Sequence, residues 1–243
     1  MSRTMSILAM WAGVASLAFA QASEQFAKAN QEFAGGEFKA AIEDYESVVR
    51  AGQDAPNLFY NLGNAYFRTK DFGHAILNYE RALALDPHHP EAQANLRIAR
   101  DEAHALELAA SRWEQIFAFG TENQFVVAAT LAFWAAIFLI AGYAFSRRRA
   151  LLALFVVSMS IFAVALAASY ELDRGKSGGR LAIVTRDNTE ARLATADNAN
   201  RVLTLPAGSE IEIVSQRGEW IYVTLPNDLR GWMPANSAEQ VRM

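Results

Sequence analysis

The chain has 243 residues, 52% of them hydrophobic and 20% charged, with a formal net charge of −4 and a pI near 5.6. That acidic balance argues against nucleic acid, whose binding calls for a basic footprint. The absence of cysteine excludes disulfides, thiolate metal sites, a cysteine nucleophile and a lipoprotein anchor.

The chain opens MSRTMSILAMWAGVASLAFAQAS, with one positive charge at Arg3, an apolar stretch from Met5 to Ala18, and Ala18-Phe19-Ala20 behind it. This layout predicts a signal peptide over 1–20, cleaved before Gln21. Its apolar stretch is shorter than the ~20 residues that a membrane span needs.

Residues 56–87 read PNLFYNLGNAYFRTKDFGHAILNYERALALDP. Phe59, Leu62, Gly63 and Tyr66 fall along one predicted helix, and Ala75, Tyr79 and Ala82 along a second that Pro87 stops. Gly63 and Ala75 are small enough to let the two helices approach. The set resembles a tetratricopeptide repeat, a helix-turn-helix unit about 34 residues long. One step back, Ala29, Ala41 and Tyr45 fall at the matching offsets, while Glu32 replaces the aromatic and Gln53 the proline. One step forward only Leu96 is kept. The reading is a repeat domain over 21–112, with repeats at about 22–55 and 56–89 and a capping helix over 90–112.

The resemblance implies a concave face that binds extended peptides or partner helices. Here that face is expected to include Phe26, Asn30, Phe33, Tyr60, Asn61, Asn64, Phe67 and Arg68. Members that grip a C-terminal carboxylate pair asparagines with basic residues. Asn30, Asn61 and Asn95 stand at the asparagine places, but Phe26 and Glu91 occupy two of the basic ones, so no such clamp is expected. Residues 113–123 form a membrane-proximal linker, with Trp113, Phe117 and Phe119 suited either to a membrane interface or to packing on the last repeat.

Positions 124–169 carry no charge apart from Arg147, Arg148 and Arg149. As one helix they would run about 70 Å, over twice the hydrocarbon thickness of a membrane, with three arginines near its middle. Two spans, 124–145 and 150–169, joined by a turn at 146–149, avoid both problems. Short arginine-rich loops stay in the cytoplasm. The repeats and everything after residue 170 are then expected outside it, which agrees with a signal peptide.

After a linker over 170–180, residues 181–243 read as short β-branched and aromatic runs parted by PAGSE, QRGE and PNDLRG. Five or so strands are expected, with Ile211, Ile213, Ile221, Val223 and Leu225 inward, and Trp220 and Tyr222 on the other face. The ending resembles a bacterial SH3-like domain, in which a Gly-Trp pair, here Gly231-Trp232, opens the last strand. In place of the usual Arg-Ser-Gly-Pro stretch stands ARLATADNAN, which puts a conventional ligand groove in doubt.

The sequence holds no phosphate loop, no Gly-x-Ser-x-Gly elbow and no metal-ligand spacing around His74, His88, His89 or His104. Nor do the two apolar stretches contain ionisable groups of the kind a transport path needs. The expected fold class is a multidomain membrane protein: an all-α tetratricopeptide-repeat domain, a two-helix transmembrane hairpin and a small all-β SH3-like barrel. That order resembles the BatE-type proteins of the Bacteroides aerotolerance operon. The resemblance implies a non-enzymatic scaffold in the bacterial inner membrane, without cofactors. Its implied partners are membrane-anchored von Willebrand A-domain proteins and, indirectly, a MoxR-type ATPase. An alternative is an envelope sensor or tether whose SH3-like module contacts peptidoglycan.

Overall fold

The structure, a computed structural model, describes residues 22–109, 112–117, 119–174, 179–196 and 198–242. The expected signal peptide over 1–20 and part of the linker over 170–180 lie outside the described residues. The described residues form two compact units, one from 22–107 with 182–242 and the other within 108–181.

The first unit begins with five helices: α1 (22–34), α2 (Phe38–Arg50), α3 (Pro56–Arg68), α4 (Phe72–Leu85) and α5 (Pro90–Ala103). Local chemistry sets their ends. Pro56 and Pro90 open α3 and α5, where the missing N–H costs no hydrogen bond. The Asp71 carboxylate accepts from the His74 N–H at 3.2 Å and so caps α4. Gly36 and Lys70, 34 positions apart, hold equivalent left-handed turns at φ 82° and 65°. Ala29, Ala41, Tyr45, Val48, Leu58, Leu62 and Ala65 form the core of the first three helices.

One detail differs from the sequence reading. The capping helix expected over 90–112 stops at Ala103, because His104 turns left-handed at φ 51° and the following residues bond elsewhere. His89, for which the sequence offers no metal-ligand spacing, is buried as the N-cap of α5. Its Nδ1 accepts from the Ala92 N–H at 3.3 Å, and its ring lies 4.9 Å from that of Tyr60.

The same unit contains a seven-stranded antiparallel sheet. Its strands are β1 (Leu181–Val184), β2 (Thr189–Arg192), β3 (Arg201–Leu205), β4 (Glu210–Arg217), β5 (Trp220–Thr224), β6 (Arg230–Pro234) and β7 (Ala238–Gln240). Their order is β3-β2-β6-β5-β4-β1-β7, so β3 and β7 are edges and the sheet is not closed on itself. Ile211, Ile221, Val223 and Leu225 point into its core as their alternation predicts, and Ile213 packs partly buried against it.

The sheet packs on the repeats. Gly73 lies against the Thr185 backbone, where a Cβ would fall 2.8 Å from the carbonyl oxygen. Gly208, at φ 87°, lies against the Ile76 side chain. The segment after α5 bonds across: Leu106 accepts from the Glu210 N–H at 2.8 Å and donates to Ser209 Oγ at 3.1 Å. Arg100 of α5 joins Glu80 to the buried Glu210 carboxylate, so that charge is paired. Arg81 donates to Glu239 at 3.2 Å and to the Gln240 carbonyl at 3.1 Å, covering part of the β7 edge.

The second unit holds α6 (Arg112–Phe117), α7 (Glu122–Ser146) and α8 (Arg149–Arg174). Two helices, Glu122–Ser146 and Arg149–Leu172, are long and apolar enough to cross a membrane. Both exceed the expected 124–145 and 150–169. Thr121 and Gln124 close a capping box at the start of α7, adding a polar turn to the apolar segment. Residues 170–174, expected in a linker, continue α8. The hairpin turn is tighter than 146–149: Arg147 is left-handed at φ 53°, and Arg149 already begins α8. Small residues line the seam, where Ala129, Ala132 and Ala136 of α7 and Ala165 and Ala168 of α8 are buried. Ser158 Oγ donates across it to the Ala132 carbonyl at 2.8 Å.

Candidate functional site

Each repeat builds the same polar triad. In the first, the Tyr45 hydroxyl donates to Asn30 Oδ1 at 2.6 Å, and Asn61 Nδ2 donates to that same oxygen at 3.0 Å. In the second, the Tyr79 hydroxyl donates to Asn64 Oδ1 at 2.8 Å and Asn95 Nδ2 does so at 2.8 Å. All three positions advance by 34 residues. The hydroxyls are the donors because both phenols hold their protons. Burial raises Tyr45 to about 12, and it raises Tyr79 further above the ordinary tyrosine value. The triads join α1 to α3 and α3 to α5, which fixes the curvature of the inner face.

Aromatic pairs repeat in the same way. Phe33 meets Phe38 edge-on at 5.3 Å, and Phe67 meets Phe72 at 5.5 Å. The Arg68 guanidinium lies 4.4 Å above the Phe38 ring, spanning the two repeats.

These residues enclose a pocket of about 250 Å3 lined by Phe33, Asn64, Phe67, Arg68, Tyr79, Asn95 and Ile98. Four of the eight expected groove residues, Phe33, Asn64, Phe67 and Arg68, therefore meet there. The others do not line it. Asn30 and Asn61 bond to each other, while Phe26 and Tyr60 pack on Tyr45 and Tyr79 with ring centroids 5.8 and 6.2 Å apart. Tyr79, a position of the repeat signature, and Asn95, at one of the asparagine places, complete the pocket with Ile98, which no sequence signal singles out. The asparagine amides are already engaged with one another. What the pocket offers is one guanidinium, two phenylalanine rings and the half-exposed Ile98, a surface for an apolar side chain beside a hydrogen-bond acceptor.

Residues 56–89 match the tetratricopeptide-repeat family model, and residues 29–70 match a second model described as a TPR repeat. These segments are similar to tetratricopeptide repeats. The match covers both triads up to Tyr79 and includes every pocket residue except Asn95 and Ile98. No curated protein matches the chain.

The remaining expected site residues lie elsewhere. Trp220 and Tyr222 alternate on the outer face of β5, and Tyr222 stands opposite Trp232 of β6 with ring centroids 5.0 Å apart. All three are partly exposed. Arg147, Arg148 and Arg149 are exposed at the hairpin turn. Among the described residues, no group of three His, Asp or Glu side chains could hold a metal ion.

Proposed function

We propose that this chain is a non-enzymatic, membrane-anchored scaffold of a bacterial envelope complex, of the BatE type, whose repeat groove holds a segment of a protein partner. The repeats are a protein-interaction fold without catalytic chemistry, and two helices suit a membrane anchor. The observation that carries the reading is the pocket between Phe33 and Phe67, with Arg68 at its side. It is apolar enough to gain from burying a partner side chain and has one fixed charge to orient it. The partners implied by the resemblance are membrane-anchored von Willebrand A-domain proteins and, through them, a MoxR-type ATPase.

In this reading the C-terminal sheet is a divergent SH3-like module, and both it and the repeats face outside the cytoplasm, with Arg147, Arg148 and Arg149 inside. The packing of sheet on repeats supports a common side for both, as do the two candidate spans between them among the described residues. A reporter fused at the 147–148 turn should report a cytoplasmic location, and an external one overturns the topology. Purification in mild detergent should retain a von Willebrand A-domain protein with the native chain and lose it with Arg68→Glu. Retention of equal amounts by both overturns the groove as the contact.

A second reading has one observation in its favour. Trp220, Tyr222 and Trp232 form an aromatic strip on one sheet face, suited to stacking on sugar rings of peptidoglycan. Sedimentation of the full chain with purified peptidoglycan, lost on Tyr222→Ala, would support it. Equal sedimentation by the variant counts against it.

A further inference from the structure

His74 sits where the repeats meet the sheet, one turn into α4. Its Nδ1 lies 2.8 Å from both carboxylate oxygens of Asp71, and its ring stacks on Tyr66 with centroids 5.0 Å apart. Its Nε2 faces the sheet, 3.8 Å from Oε1 of Glu239 on β7. The other charged groups around it come from two elements. From α2, Glu46 accepts from the Tyr66 hydroxyl of α3 and pairs with Arg50 at 3.1 Å. From α4, Arg81 holds Glu239 at 3.2 Å. A cleft of about 260 Å3 runs among Glu46, Arg50, Tyr66, His74, Arg81 and Glu239 and leaves the imidazole partly open to solvent.

The partners of His74 divide between the two halves of the contact. Asp71, Tyr66 and Glu46 belong to the repeats and stay with His74 if the sheet lifts away. Glu239 belongs to the sheet and is lost. Arg81 is charged at any ordinary pH, so its grip on Glu239 and Gln240 is constant. Among the described residues that bridge the two halves, His74 is the imidazole, the side chain type that changes charge between about pH 5 and 8.

We propose that His74 is a pH-sensitive latch between the repeats and the sheet, tightening their contact in acid and slackening it in alkali. Burial lowers the affinity of His74 for its proton. The hydrogen bond and charge of Asp71, with the charges of Glu239 and Glu46, outweigh that effect and raise its pKa above 6.5. Opening removes only the part of that rise owed to Glu239, because Asp71 and Glu46 stay with His74. The added grip is therefore fully present while His74 is protonated in both states and is lost as pH climbs through the raised value. Because α4 also carries Tyr79 of the pocket, the latch acts on a helix shared with the groove.

Hydrogen exchange on the full chain in detergent tests the latch. The Glu210 N–H, bonded to Leu106, and the Leu106 N–H, bonded to Ser209, report opening of the contact. After correction for intrinsic rates, their protection should be about two- to fivefold greater at pH ~5.5 than at ~8.5, the size of a half-exposed ion pair. His74→Gln should make it flat. Glu239→Gln, on a half-exposed edge residue, should also make it flat, and it decides alone if His74→Gln unfolds α4. Equal protection at both pH values in the native chain overturns the latch. So does a pH dependence that survives Glu239→Gln.

Discussion

The two repeats share one inner plan and differ on their outer faces. Where α3 and α4 carry Leu62, Tyr66 and Asn78, α1 and α2 carry Lys28, Glu32 and Asp44 at the same offsets. Leu62 and Asn78 are buried, and the Tyr66 hydroxyl donates to Glu46 of the repeat before it. Lys28 faces outward, paired with Glu32 at 3.2 Å and Asp44 at 2.6 Å. The second repeat is covered by α2 on one side and by the sheet on the other. The corresponding face of the first carries the Lys28, Glu32 and Asp44 cluster instead. Departures from the repeat signature therefore mark a place in the stack. Glu32, which weakens the first repeat as a motif, is held there by Lys28 at 3.2 Å.

Exchanging residues between the faces should expose this asymmetry. The largest effect is expected for Leu62→Lys, which places an unpaired charge at a site only 3% exposed. It should cost about 4 kcal/mol or more, read from urea unfolding of the full chain in detergent by circular dichroism. A loss below about 1 kcal/mol would mean that the site opens to solvent and that the buried face is misassigned.

Gly63→Ala comes next. Its Cβ would meet the Tyr79 ring at 2.8 Å, and the resulting overpacking should cost about 1–3 kcal/mol in the same unfolding measurement. At the equivalent place in the first repeat Ala29 is buried without strain, and the reverse exchange, Ala29→Gly, should cost about 1 kcal/mol through helix propensity alone. A stabilising Gly63→Ala would contradict the close approach of α3 to α4.

Gly73→Ala is expected to act on the sheet contact more than on the repeats. Its Cβ would press on the Thr185 backbone, so exchange protection at Leu106 and Glu210 should fall at least tenfold, roughly the equivalent of 1.4 kcal/mol. Protection within α3 should hardly change. Uniform loss across both would show that the sheet and repeats unfold together. Lys28→Leu should have the smallest effect, with no measurable shift in the unfolding midpoint, since exposed ion pairs contribute little. A marked loss would give the first repeat's outer face a structural role that its exposure does not suggest.

The helices of the repeats and the two apolar helices were legible because their signals are local. Pro56, Gly63, Tyr79 and the uncharged run from 124 are read within one or two turns of chain. The end of α5 and the start of α7 were not, because long-range bonds follow the one and a capping box opens the other. His104 turns the chain so that Leu106 can bond to Ser209 and Glu210, a hundred residues away. Nothing in the periodicity of either segment signals that pairing. The packing of sheet on repeats has the same origin, since Gly73 and Gly208 look like ordinary turn glycines until their neighbours are known. Of the groove, the aromatic and basic members were visible at helical spacing. The engagement of Asn30 with Asn61 was not, although the 34-residue step to Asn64 and Asn95 encodes it.

The central claim is that the pocket beside Phe67 holds a partner's side chain. A photo-crosslinking residue at Phe67 in the full-length membrane-bound chain tests it most directly, with the exposed Lys39 as the control position. The account predicts one discrete protein adduct from Phe67 that Arg68→Glu abolishes and that Lys39 does not form. Adducts that are the same from both positions, or that persist in Arg68→Glu, would contradict it.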